Sequence, residues 1–269
     1  MRQLQAHPLS RGGPGLTPAA GEPGEPAGPA ARLAAIERRI AAACARGRRD
    51  PATVTLVGAS KTQPAAALAP FVAAGLAVLG ENRVQEAQAK RRELGEILGE
   101  PHLEWHLIGP LQTNKARPAL ELFSCIHSLD RPEIAAALDR EAGRRGVRPA
   151  VFVEVNLGGE PSKHGFPPGR LAEAVLPLAA LPNLRVVGLM AIPPPAAAAE
   201  GSRPWFRRLR ELRDDLGSRP EWAGWPGSLS MGMSDDFEEV IEEGATHVRV
   251  GTALFGPRKA TPGSGGHPE

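Results

Sequence analysis

Short apolar runs alternate with longer amphipathic patterns along the chain from about residue 30 to residue 258. The runs are rich in Val, Ile and Leu and have the length of buried strands. We predict eight of them, at residues 54–59, 76–79, 105–108, 124–127, 151–156, 184–189, 228–231 and 247–250. Strands that alternate with helices are typical of βα units and a parallel sheet.

The segments between the runs have the spacing of helices with one apolar face. Over residues 82–99 this spacing places Glu86 and Lys90 four residues apart, and we expect Lys90 to be solvated there. A helix is also predicted over residues 204–217, and Ser234 is predicted to cap a later one. An additional helix, at about residues 31–46, precedes the first strand.

The element order favours a (β/α)8 TIM barrel, which uses about 250 residues as one domain. A doubly wound open sheet has the same local pattern, but it usually carries a GxGxxG turn after its first strand. Here the first strand runs into Gly58-Ala59-Ser60-Lys61. We therefore expect a barrel over residues 30–258 with an extra N-terminal helix. Residues 1–29 and 259–269 are rich in Gly, Pro and Ala, and we expect a disordered leader and tail.

Composition excludes several classes of function. The formal net charge of +2 lacks the basic excess of a protein that binds nucleic acid through its phosphates. No apolar stretch reaches the length of a membrane helix, and the N-terminus lacks the apolar core of a signal peptide. Cys44 and Cys125 are expected to be buried free thiols. We expect a cytoplasmic protein, with no nucleic acid or membrane partner, and favour a monomer.

Only five lysines are present, and tyrosine is absent. In a barrel the functional site lies at the carboxyl ends of the strands. Lys61 directly follows the first predicted strand, where partial burial favours the neutral, nucleophilic amine. Lys115 and Lys163 fall in loops, and Lys259 is in the tail. Lys61 is therefore the candidate reactive amine.

Two glycine-containing turns follow the seventh and eighth predicted strands, where barrels often bind phosphate. The first turn runs from Ser230 and Met231 to Ser234, and the second contains Gly251 and Thr252. Hydroxyl groups and free amides at a helix start suit a phosphate group. No GxxxxGK[ST] loop accompanies them, so the pattern does not indicate a nucleoside triphosphate.

A lysine opposite a phosphate site suits pyridoxal 5'-phosphate (PLP), because the amine forms a Schiff base with the aldehyde while the phosphate anchors the other end. Arg249 lies in the eighth strand, and its side chain points to the opposite face of the sheet from those of Val248 and Val250. If it faces the barrel interior, its guanidinium meets the pyridine nitrogen and weakens the cofactor as an electron sink. That arrangement suits a carrier or a restricted catalyst.

The remaining polar residues give weaker signals. His106, His127 and His247 lie in predicted strands without HxH or HExxH spacing, and packing in the core or at the rim is the favoured interpretation, so no metal is expected. Asn82 follows the second strand, and Glu154 and Asn156 lie on the fifth. For each of these three residues, a role in the site and a structural role are equal alternatives.

Several segments together resemble the pyridoxal phosphate homeostasis protein family, which is related to the alanine racemase N-terminal barrel. They span residues 56–258 and read LVGASKTQP, LGENRVQE, WHLIGPLQTNK, HSLDR, VNLGGEPSKHGF, LRVVGLMAIP, LSMGMSDDFEEVIEEG and VRVGTALFGPR. The chain departs from the family pattern at Arg83, often aromatic there, and at Thr113, often Ser. Both positions lie outside the expected Schiff-base site.

The resemblance implies a (β/α)8 barrel with PLP on Lys61 and Asn82 beside the cofactor ring. Arg249 would face the ring nitrogen. The phosphate would be surrounded by Ser230, Met231, Ser234, Gly251 and Thr252. Family members are understood to buffer PLP and to influence vitamin B6 balance without an established catalytic reaction, and PLP-dependent apo-enzymes are the expected recipients.

Two alternatives stay open at this point. A PLP-dependent racemase or lyase would use Lys61 as its single base, since the chain has no tyrosine to serve as a second base. A barrel enzyme for phosphorylated sugars would use Lys61 on a carbonyl substrate and bind no coloured cofactor.

Overall fold

A computed structural model of the protein describes residues 28–160, 163–193, 201–222 and 224–257. Eight parallel strands form a closed barrel in chain order, and the last strand pairs with the first. The predicted (β/α)8 TIM barrel is confirmed, and the open sheet is excluded. The strands are β1 (Thr55–Ala59), β2 (Val78–Glu81), β3 (Glu104–Leu107), β4 (Cys125–Leu129), β5 (Ala150–Glu154), β6 (Arg185–Met190), β7 (Ser228–Ser230) and β8 (His247–Val250).

Helices cover the outside of the barrel. The predicted extra N-terminal helix is present and starts at Pro29, inside the segment assigned to the leader. Residues 1–27 of the predicted leader, residues 194–200 and the predicted tail at 259–269 lie outside the described residues. The helices are α1 (Pro29–Arg46), α2 (Ala65–Ala73), α3 (Val84–Leu98), α4 (Ala116–Leu120), α5 (Pro132–Arg145), α6 (Leu171–Ala179), α7 (Arg203–Gly217), α8 (Phe237–Glu242) and α9 (Thr252–Phe255).

Within the described ranges, no helix has the length and apolarity needed to cross a membrane.

Several element boundaries differ from the sequence prediction by one to three residues, and two of the differences have a clear physical reason. The second strand begins at Val78 and not at Leu76, because the Leu76 amide donates to the Phe71 carbonyl and closes the end of α2. The helix expected to begin at Ser234 begins at Phe237 instead. There Asp236 Oδ1 accepts the Met233 amide at 2.6 Å and occupies the turn before the helix.

The core has two parts. An aliphatic layer between the strands and the helices holds most buried side chains. A separate small cluster is formed by residues of β4, β5 and β6, namely Cys125, Ala150, Phe152, Val187 and Met190. The space enclosed by the strands also holds buried polar side chains, among them His127, Ser230 and Arg249. Burial of the apolar layer stabilises the barrel. The polar interior of the barrel leads to the site.

Candidate functional site

The loops at the carboxyl ends of the strands enclose a cavity of about 270 Å³. Lys61 from the β1 loop, Asn82 from the β2 loop, and Arg249 and Thr252 from the β8 end all line it. A wider cleft of about 520 Å³ lies outside the barrel along α3. The smaller cavity is the candidate site, because a primary amine, a guanidinium group and the turn before α9 converge there.

Lys61 is held at the rim of this cavity by the end of β1. The Ser60 amide donates to the Gly80 carbonyl at 3.0 Å and extends the pairing of β1 with β2. Thr62, the next residue after Lys61, has a φ of 68°. A β-branched residue with positive φ is strained, and such strain is concentrated at functional sites. The tight turn thus fixes where the half-buried Lys61 side chain leaves the backbone.

Replacement of Thr62 by glycine is expected to stabilise the fold. Glycine relieves about 1–3 kcal/mol of backbone strain and gives back about 0.5–1 kcal/mol as chain entropy, so a net gain of about 1 kcal/mol in the free energy of unfolding is expected. Urea denaturation measures the change. The matched control is Thr113→Gly in the 3₁₀ turn Thr113–Lys115, where negative φ angles make glycine destabilising. A destabilised Thr62→Gly variant would contradict the strain.

A buried ion pair contacts Ser60, the residue that precedes Lys61. Lys90 is 9% exposed, so the expectation of a solvated lysine is wrong. Its Nζ binds Glu81 Oε1 and donates to the Ser60 carbonyl at 2.8 Å. The Ser60 hydroxyl also donates to Glu81 Oε1, at 2.7 Å. Lys90 reaches inward because Glu81 ends β2 inside the protein, where a charged group needs a partner. A glutamate that ends an apolar strand is a sequence signal for a buried charge, but the sequence does not show which cation pairs with it.

The turns after β7 and β8 meet through Ser234. Its Oγ accepts the amides of Gly251 and Ala253, each at 3.2 Å. Ser234, Gly251 and Thr252 line the cavity together. The Ser234 hydroxyl therefore stands beside two amides at the start of α9 and does not cap α8.

Ser230 and Met231 occupy a different place from the other candidates for the phosphate site. Both are fully buried. The Met231 amide donates to the His247 carbonyl at 3.1 Å, and the Ser230 hydroxyl bonds inside the barrel. Gly232, with a φ of 87°, makes the turn between them and Ser234, and a Cβ there would meet Val240 at 2.4 Å. Of the predicted phosphate residues, the structure brings Ser234, Gly251 and Thr252 to the cavity.

Arg249 faces the barrel interior and forms part of the cavity wall. Its guanidinium donates to Ser230 Oγ at 2.7 Å and to the Ala191 carbonyl at 3.1 Å. Burial lowers the pKa of Arg249 to about 10, with Glu154 and Asp236 acting in the opposite direction. The group thus stays charged at neutral pH.

Asn82 lines the cavity, whereas Glu154 and Asn156 have other contacts. The loop that carries Asn82 packs so closely on Gly109 that a Cβ there would lie 2.7 Å from the Asn82 carbonyl oxygen. The Asn156 amide group donates to the carbonyls of Glu160 and Lys163 and braces their loop. Burial, reinforced by Asp130 and opposed by Arg249, raises the pKa of Glu154 to about 7.

Three histidines occupy the barrel interior, as their strand positions indicate. His127 Nε2 and His106 Nδ1 are 3.0 Å apart, and the His247 ring centroid lies 5.7 Å from that of His127. Burial lowers the pKa of His106 to about 4 and that of His247 to about 3. Cys125 is close enough that its thiol and the His106 and His127 rings offer ligand atoms within 4.8 Å of one another. Burial also raises the pKa of the Cys125 thiol, which disfavours the thiolate that metals bind.

Comparison with known proteins identifies close relatives. The family model of the alanine racemase N-terminal domain matches residues 32–259. The pyridoxal phosphate homeostasis protein of Aquifex aeolicus (strain VF5) is 46% identical over 228 residues, which cover 85% of this chain and 97% of the relative. The corresponding protein of Escherichia coli (strain K12) is 41% identical over 228 residues, 84% of this chain and 95% of the relative.

Solved structures show the same similarity. PipY of Synechococcus elongatus PCC7942, determined with PLP bound, is 39% identical with a TM-score of 0.69, and the match covers 82% of this chain and 100% of PipY. An alanine racemase of Clostridium difficile 630 is 15% identical with a TM-score of 0.60, over 85% of this chain and 57% of the racemase. The second similarity concerns the fold alone.

Proposed function

The chain belongs to the pyridoxal phosphate homeostasis protein family and carries its alanine racemase N-terminal domain; from this premise, we propose that it holds PLP reversibly on Lys61 and buffers its supply. The observation that carries the proposal is the convergence of Lys61, Arg249 and Ser234 on one cavity. PLP supplies an aldehyde that condenses reversibly with a primary amine, with loss of water.

The residues of the cavity match the parts of PLP. The phosphate is anionic, and the hydroxyls of Ser234 and Thr252, which both line the cavity, offer it neutral donors. The Arg249 guanidinium stays charged, so it can only donate hydrogen bonds, and it would place positive charge next to the ring nitrogen. Because the guanidinium keeps its own protons, it disfavours protonation of the ring nitrogen that faces it. This chain's residues therefore bind and orient PLP and limit its ability to accept electrons.

A holding role without turnover fits this chain better than racemisation. Two-base racemisation needs a second base opposite the lysine, and the chain has no tyrosine for it. Lys61 is the one amine among the described residues that line the cavity, so a single-base reaction would run through it. We propose that the protein works in the cytoplasm as a monomer and that PLP-dependent apo-enzymes receive its cofactor.

Replacement of Ser234 by alanine is expected to weaken PLP binding about tenfold, the usual effect of losing one hydrogen bond to a charged group. Pyridoxal, which lacks the phosphate, should bind wild type and variant equally. Absorbance titration with both ligands measures the difference. Ser228→Ala is the control, because Ser228 lies at the amino-terminal end of β7. An equal loss for both ligands would place the phosphate elsewhere.

A second experiment separates holding from catalysis. The PLP-loaded protein is incubated with single L-amino acids, and D-isomers and keto acids are measured. We expect no turnover, together with transfer of PLP to an apo-enzyme that regains activity. Formation of either product at about 1 per second, which is within the enzymatic range, would replace the proposal by a one-base racemase or lyase.

A further inference from the structure

A line of hydrogen bonds descends from Arg249 through the barrel interior. Its Nη1 donates to Ser230 Oγ at 2.7 Å, and Ser230 Oγ lies 2.7 Å from His127 Nδ1. His127 Nε2 then meets His106 Nδ1 at 3.0 Å. At the amino-terminal end of the barrel, His106 Nε2 lies 3.6 Å from Glu104 Oε2. The line joins the floor of the candidate site to the opposite end of the barrel.

One assignment of the protons gives every donor in this line an acceptor. A guanidinium only donates, so the Ser230 hydroxyl accepts from Arg249 and gives its own proton to His127 Nδ1. His127 then carries its proton on Nε2 and donates to His106 Nδ1. By the same reasoning, His106 carries its proton on Nε2, directed at the Glu104 carboxylate. Both histidines are neutral in this assignment. Three of their four ring nitrogens have a hydrogen-bond partner, and His106 Nε2 lies 3.6 Å from the Glu104 carboxylate.

The surroundings keep the line in this state. Burial lowers the pKa of His127, and the neighbouring His106, His247 and Arg249 add to the effect. Glu104 acts on His106 in the opposite direction, but burial outweighs it. Each O–H and N–H bond points away from the guanidinium, so the lone pairs face it. Aligned hydrogen bonds in a medium of low polarity polarise one another and stabilise the cation at their accepting end.

We propose that Ser230, His127 and His106 are positioning residues that hold the Arg249 guanidinium, charged and correctly oriented, against the ring nitrogen of PLP. The proposal rests on the proposed function and deepens it. It assigns Ser230 to the ring end of the cofactor and removes it from the phosphate end. It also gives the interior histidines a task beyond packing.

A metal ion is the competing occupant of the same place. Zinc bound by His106, Cys125 and His127 would occupy one ring nitrogen of each histidine and remove that nitrogen from the line. Elemental analysis of the purified protein and of Cys125→Ser distinguishes the two states. Absence of zinc in the wild type supports the line of hydrogen bonds. Stoichiometric zinc that disappears in Cys125→Ser would overturn it.

The cofactor-free protein provides the first test. Histidine ¹⁵N NMR is expected to show His106 and His127 as neutral Nε2–H tautomers from about pH 5 to 8, the range in which ordinary histidines titrate. Ser230→Ala should shift the Nδ1 signal of His127, and the control Ser228→Ala should not. A charged ring, an Nδ1–H tautomer at His127 or an unmoved signal would overturn the proposal.

The PLP-loaded protein provides the second test, a double-mutant cycle. Ser230→Ala alone is expected to weaken PLP binding about tenfold and to alter the visible spectrum, since it removes a hydrogen bond to a charged group. In the background of Arg249→Gln the same change should have little effect. Additive losses in the cycle would overturn the proposal. A wild type that binds no PLP would refute the proposed function, whereas the NMR result stands independently of it.

Discussion

Replacement of Lys61 by alanine is expected to abolish the visible absorbance of bound PLP and to weaken its affinity about 100-fold or more, equivalent to about 2.7 kcal/mol. Removal of the amine leaves the cavity with only the noncovalent contacts of Arg249 and of the turn around Ser234. Absorbance titration and equilibrium dialysis of the variant with PLP measure both effects. The fold should stay intact, because Lys61 lies at the rim of the barrel.

The matched control for Lys61 is another loop lysine. Lys115 ends the 3₁₀ turn before α4 and does not line the candidate site; it lines a separate cleft that also contains Arg131 and His164. Lys115→Ala should bind PLP and absorb light as the wild type does. If Lys61→Ala kept the absorbance and Lys115→Ala lost it, the amine would have been assigned to the wrong loop.

Replacement of Lys90 by methionine is expected to lower the free energy of unfolding by about 3–5 kcal/mol, the usual effect of leaving a buried charge without its partner. Glu81 is fully buried, and its Oε2 already has no hydrogen-bond partner among the described residues. Lys90 also holds the Ser60 carbonyl, next to Lys61, so the variant should bind PLP less tightly. Urea denaturation and PLP titration measure the two effects.

Two further variants isolate the ion pair. Lys90→Met combined with Glu81→Gln should recover part of the lost stability, because no unpaired charge is then buried. Arg92→Met removes an exposed charge from the same helix and should change stability by less than about 0.5 kcal/mol. Equal effects of Lys90→Met and Arg92→Met would contradict the buried pair.

The barrel could be predicted from the sequence because its strands are short runs of apolar residues with regular spacing. The runs at 54–59 and 247–250 match β1 and β8 within one residue. The position of Lys61 on the cavity wall could be predicted for the same reason, since the fold places the end of β1 at the cavity. The start of β2 was missed because Leu76 is apolar in either state, and a hydrogen bond from its amide decides which state forms.

The internal polar contacts could not be predicted, because they join residues far apart in the chain. Lys90 has the helical spacing of a surface residue, and only the position of Glu81 turns it inward. Ser230 and Ser234 are both serines in one turn, yet Ser230 faces the barrel interior and Ser234 faces the cavity. Local sequence does not distinguish them, since which strand lies opposite each hydroxyl depends on closure of the barrel.

Reduction of the PLP-loaded wild type with borohydride, followed by peptide mapping, tests the central claim most directly. Borohydride converts the link between the cofactor and its amine into a stable bond, so the modified residue carries a lasting mass label. The account predicts a single labelled peptide, with the label on Lys61. A protein that yields no label, or a label on Lys115 or Lys163, would contradict it.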